Sequence, residues 1–276
     1  MKQVFKSPPQ AITLPKKLAL EASFLPQVKS YFNTIRTDFE KFYSVTGTVI
    51  SMDEYEDITL SLIKKQYTRC AKVFKRDLRG EKKQEETQET AEDNFISTAI
   101  IAFILLKSKI SADIIRETNT TQIRDAISKA RSALIEQGKE ITNRAVAKEA
   151  SSILKTRFNA RAETIAISET QYAVESVKAI EANVLAGEQS FDGFAGTVAV
   201  STVVVSNATK TWETTLDEKT RIAHAFADGQ TVKVTSFFIV DGQMLKFPRD
   251  TSLGATAKNV INCRCQASYS ITRDVS

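Results

Sequence analysis

The chain has no run of ~20 apolar residues, the length that a membrane-spanning helix requires. Its longest apolar stretch, Phe95 to Leu106, is broken by Ser97 and Thr98 and suits a buried core helix. No secretory signal is visible either: Lys2 and Lys6 precede Pro8 and Pro9 rather than an apolar segment. The expectation is a chain made and kept in the cytosol, or in something assembled there, with no membrane partner. Cysteine is scarce, with three residues, an odd count lacking an extracellular disulfide pattern. Cys70 stands alone in a helical stretch and reads as a small buried hydrophobe. There is one histidine, His224, so an imidazole-based acid–base mechanism has a single candidate. The motifs H-E-x-x-H and G-x-S-x-G and the kinase loops are all missing. The chain is therefore not expected to be an enzyme.

What is present is an ordinary globular composition: 276 residues, 42% hydrophobic and 26% charged. That length can bury a large core without help from disulfides or metal. The net charge of +5 permits contact with nucleic acid without requiring it.

Neither proline nor glycine interrupts the chain between Gly80 and Gly138, as long helices favour. Tyr55 to Lys75 repeats Leu60, Ile63, Tyr67 and Cys70 near the helical period. Thr120 to Gln137 carries the stripe Ile123, Ala126, Ile127, Ala130 and Leu134. Ile141 to Arg157 and Arg161 to Ala186 continue in the same style. Arg79 to Asp93 reads as a solvated helix face or a loop. Lys65, Arg69, Lys72 and Arg76 recur at i, i+4, i+7 and i+11. Such a ridge could meet the phosphates of double-stranded DNA, or simply face water.

The texture changes near Leu185. Gly187, Gly193 and Gly196 form a breaker cluster, followed by valine-rich Val198 to Val205. Asp241-Gly242-Gln243 separates Phe237–Val240 from Met244–Phe247, a hairpin signal, and Cys265 to Arg273 alternates like a strand. Helices first and strands later predict an α+β protein: a mainly helical docking region over 1–159, then a small module over 160–276 with a β-hairpin.

Within that module, Thr215 and Glu218 are spaced as a capping box, predicting a helix from Leu216 to Ala227 closed by Asp228-Gly229. Asp217, Arg221 and His224 would then share one stripe, with Ile222 and Phe226 turned to the core. Cys263 and Cys265 form a C-x-C pair, poorly placed to bridge each other but able to aim two sulfurs at one ion. With His224 and one carboxylate, Asp250 or Asp217, they make a four-ligand set suited to structural zinc. Reduced core thiols hydrogen-bonded to their neighbours are the alternative.

The order and spacing of these residues carry a resemblance. Trp212, Asp217, Thr220, Arg221 and His224, then Asp228-Gly229-Gln230, then Pro248 and Asp250, then Asn262-Cys263-Arg264-Cys265 are similar to the Mu F-like phage head morphogenesis domain. Arg161 to Thr170 resembles a helix of that family, although Ile167 and Ser168 stand where the family has arginine and threonine. Some members exchange R-x-x-H for C-x-x-C and place a histidine before N-C-R-C, a swap of ligand types at matching places. The resemblance implies a minor structural protein of a tailed-phage virion head, assembled in the host cytoplasm. It would act at the portal vertex during procapsid assembly, with portal protein and scaffold or major capsid protein as partners, and a role in DNA packaging or delivery. It transfers no catalytic residue. A non-specific DNA-binding head protein is one alternative; a phage-borne effector enzyme is another, and the eleven residues after Cys265 leave it no expected room.

Overall fold

A computed structural model describes residues 2–8, 10–75, 78, 91–187, 190–191, 194–195 and 204–274. The elements are β1 (Lys2–Lys6), α1 (Gln10–Thr46), α2 (Glu56–Phe74), α3 (Ala91–Glu136), α4 (Asn143–Leu185), β2 (Ser190–Phe191), β3 (Phe194–Ala195) and β4 (Val204–Glu213). After them come α5 (Ile222–Ala227), β5 (Thr231–Lys233), β6 (Phe238–Val240), β7 (Gln243–Leu245), α6 (Ala257–Val260) and β8 (Gln266–Asp274). The protein is α+β. The separate periodic stretches fuse: Phe95–Leu106 and Thr120–Gln137 both belong to α3, and α4 joins the two that follow. Residues 79–90, Arg76, Gly193, Gly196 and residues 198–203 lie outside the described residues.

The apolar segment of α3 is two-faced rather than wholly buried. Phe95, Ile96, Ile100 and Phe103 are covered, whereas Ile101, Leu105 and Leu106 are more than half exposed. Among the described residues, α3 is long and apolar enough to cross a membrane by length and composition.

Two compact units emerge, Met1–Leu20 with Tyr67–Leu105 and Ile167–Ser276, and Glu21–Gln66 with Leu106–Ala166. This division does not fall at residue 160, because each long helix contributes a stretch to both units. The second unit is all helix. Phe32 of α1 stacks on Phe158 of α4 at 4.6 Å, and Arg36 donates to Ser151 at 2.7 Å. Tyr31 shares a hydrogen bond with Thr59 and accepts one from Asn119, a buried polar contact among α1, α2 and α3.

The first unit holds a four-stranded antiparallel sheet in the order β1-β8-β4-β5. From Ala267 on, strand β8 alternates, burying Ala267, Tyr269, Ile271 and Arg273 while Ser268, Ser270, Thr272 and Asp274 are half exposed. Arg273 donates to the carbonyl of Leu185, neutralising the C-terminal end of α4, where free carbonyls gather.

The C-terminal part of α4 is buried on all sides: every residue from 173 to 182 is covered, including Glu175, Lys178 and Glu181. The charges have a specific task. β1 pairs with residues 270–274 of β8, so Ala267 extends beyond its reach. Glu175 accepts the Ala267 N–H at 2.9 Å, and Lys178 donates to the Ala267 carbonyl at 2.8 Å. Two α4 side chains thus stand in for a missing strand, since buried backbone groups must find partners. Lys17 of α1 closes the network with an ion pair to Glu175 at 2.5 Å.

The expected hairpin is present as β6–β7, with Val240 paired to Gln243. Its two-residue loop has φ of 52° at Asp241 and 73° at Gly242, the left-handed pair that matches strand twist.

Candidate metal centre

β4 begins where the valine-rich segment ends and runs on through polar residues to Glu213. Lys210 and Trp212 point inward from it, and both are buried. The Lys210 ammonium donates to the carbonyl of Lys246 at 2.6 Å and lies over the Phe238 ring. Burial pushes its pKa down to about 8, against the opposing pull of Asp250. Trp212 is fully covered, edge-on to Phe238 at 5.3 Å and to His224 at 5.7 Å.

The helix carrying His224 is shorter than its capping signal implied. Leu216 takes a positive φ of 48°, and the Asp217 carboxylate accepts from the Lys219 N–H and the Thr220 hydroxyl, closing a local turn. That side-chain turn competes with helix, as aspartate and threonine commonly do. α5 therefore starts at Ile222, and Asp217 shares no helical stripe with His224. Its faces are also reversed from expectation. Ile222 and Phe226 are 77% and 86% exposed, while His224 and Ala227 are buried. Asp228 is the C-cap and Gly229 follows at φ 76°, as anticipated.

His224 Nδ1 lies 3.3 Å from Cys265 Sγ and 3.5 Å from Cys263 Sγ. All three residues are buried, and their donor atoms fall within 4.8 Å of one another, an arrangement that could hold a metal ion. Nitrogen at ~2.05 Å and sulfur at ~2.3 Å from a tetrahedral zinc would be separated by about 3.5 Å. The observed N–S separations fit that edge. One ring nitrogen makes a single good hydrogen bond, so one thiol pairs with Nδ1 and the other with its fellow thiol. The Cys263 thiol is held well below its usual range by the Cys265 thiol's hydrogen bond, with His224 and Arg249 adding to it against burial. Cys265 is pushed up by its hydrogen bond to Cys263 and by burial.

Neither proposed carboxylate joins the cluster among the described residues. Asp250 accepts from the backbone N–H groups of Lys246 and Ser252 at 2.9 and 2.8 Å, so it braces its own turn and offsets Lys210. Asp217 is taken up by its local turn. The centre is thus a three-donor set, leaving a fourth position for another ligand.

The other motif residues serve as scaffolding. Arg221 donates to the carbonyl of Ile261 at 2.6 Å, next to Asn262, which adopts a positive φ of 54°. Pro248 leads into Arg249, whose guanidinium donates to the carbonyl of Cys263 at 2.9 Å. The Gly229 N–H donates to the Trp212 carbonyl at 2.8 Å, and Arg264, which separates the two cysteines in the chain, is half-buried. Arg249 and Asn259 were not anticipated. Asn259 is fully buried and donates to the Val240 carbonyl and to Gln243. No pattern in the sequence singles either out, because their partners are backbone carbonyls or a residue on another element. On α2, Lys65, Arg69 and Lys72 are exposed, and Arg76 lies outside the described residues.

No family model, no curated protein and no solved structure matches this chain.

Proposed function

We propose that the chain is a minor structural protein of a tailed-bacteriophage head, acting in procapsid assembly at or near the portal vertex. The observation that carries this reading is the convergence of His224, Cys263 and Cys265, the most specific residues of the resemblance, from positions about 40 apart. A motif spaced so widely has a physical meaning only if its members meet. The motif residues around the cluster make hydrogen bonds that build its walls. The portal protein and the scaffold or major capsid protein are the proposed partners, and the site of action is the virion head assembled in the host cytoplasm. The exposed Lys65, Arg69 and Lys72 are in keeping with an accessory contact to packaged DNA. Mass spectrometry of purified procapsids should find a few copies per particle; particles without the protein would refute the proposal.

For the centre itself we propose zinc, which two thiolates and an imidazole bind well. When bound, the ion would supply a structural cross-link between α5 and the segment entering β8. Protein purified without added metal should contain about one zinc per chain by elemental analysis, and the Cys265→Ala variant should contain far less. A metal-free wild type would overturn this assignment.

A further inference from the structure

α5 has six residues, well below the ~12 at which an isolated helix becomes even marginally stable in water. Its N-cap, Arg221, makes no side-chain capping bond, and the preceding turn bends away at Leu216. Local sequence therefore does little to hold it. Of its buried side chains only His224 is large, and that ring reaches the two thiols through Nδ1. Arg221 adds one bond, to the carbonyl of Ile261. Both of these lead to residues 261–265. At the other end of the helix Asp228 accepts from the N–H and hydroxyl of Thr214 at 2.8 and 3.2 Å, and Trp212 packs edge-on against the His224 ring. The helix also borders β6, and its opposite face carries Ile222 and Phe226 into solvent.

We infer that metal occupancy at His224, Cys263 and Cys265 governs the ordering of α5, so that Ile222 and Phe226 are held in a fixed place only in the loaded protein. This inference rests on the metal reading of the centre. Three donors from two distant segments must converge before they can share an ion, so the ion binds the ordered form and not the open one. Such a ligand favours the ordered form by a factor of 1 + [M]/Kd, about 100 at a hundredfold excess over Kd. Fixing α5 therefore fixes an exposed apolar pair whose neighbours in the chain are small: Ala223, Ala225 and Ala227.

The test compares the full chain stripped by chelator with the same protein loaded with zinc chloride. Trp212, the only tryptophan, sits 5.7 Å from the His224 ring, so its emission reports binding at the centre. Amide hydrogen exchange over 219–229 should slow by up to about 100-fold on loading at a hundredfold excess over Kd. Cys265→Ala leaves α5 untouched in sequence and should abolish the zinc-dependent slowing. Should that variant fail to fold, the stripped and loaded wild type still decide the matter. Saturable emission change at one equivalent with unaltered exchange over 219–229 would overturn the inference and leave the metal centre standing. No zinc binding at all would overturn both.

Discussion

Replacing Glu175 with alanine is expected to lower the unfolding free energy by about 3–5 kcal/mol, the usual cost of breaking a buried ion pair from one side. The carboxylate is fully buried, pairs with Lys17 at 2.5 Å and lies 3.7 Å from Lys178. Its loss would leave two buried ammonium groups facing each other's charge, and would strip the Ala267 N–H of its acceptor. Urea unfolding followed by circular dichroism measures the change, and a loss under ~1 kcal/mol would contradict the role assigned to this network. The double variant Lys17→Met, Glu175→Gln removes one charge of each sign and should recover part of the loss. A pH dependence follows. Burial pushes the Glu175 pKa up, but Lys17, Lys178 and the Ala267 N–H together bring it below the ordinary 4.5. The unfolded chain then binds the proton more readily. The stabilisation is full above pH 4.5 and disappears as pH falls through the lower folded value, so Glu175→Gln should flatten the acid limb of the stability curve.

Trp212→Ala should cost about 3–5 kcal/mol as well, for a different reason. The indole is fully buried between Phe238 and the imidazole of His224, and its removal leaves a cavity where both rings lose their neighbour. Trp212→Phe retains most of that volume and should cost less than half as much. Zinc affinity, measured with a competing chelator dye, should weaken in the alanine variant, because the ring that keeps His224 facing the thiols is gone. Unchanged affinity would show that the thiols alone orient the imidazole.

Much of this architecture was legible in the chain. The Asp241-Gly242 hairpin followed from the positive φ that such a turn demands, and the strand at Gln266 from alternating side chains. The meeting of one histidine with a C-x-C pair followed from ligand chemistry. Elsewhere, tertiary structure overruled local pattern. Thr215 and Glu218 have capping-box spacing, yet Asp217 folds back on its own neighbours and takes the turn for itself. Ile222 and Phe226 have core spacing, but the polar residue between them is the buried one. Hydrophobic periodicity cannot find a face whose interior partner is a pair of thiols. The same limit hid Lys17, Glu175 and Lys178, because charged residues read as solvated until their partners are known. Lys210 follows the inward alternation of β4 with Trp212 but sets a charge where an apolar side chain is expected, held by a carbonyl contributed 36 residues later.

The sheet's connectivity bears on how the protein comes into being. Ser7 and Tyr269, which share hydrogen bonds where β1 meets β8, are 262 residues apart. At translation rates of roughly 5–20 residues per second, β1 waits about 13–50 s for its neighbour. Throughout that interval a short ribbon of unpaired amides and carbonyls is open to nascent chains on adjacent ribosomes. Lys2 and Lys6 flank it with positive charge, the kind of guard that discourages strand-to-strand mispairing.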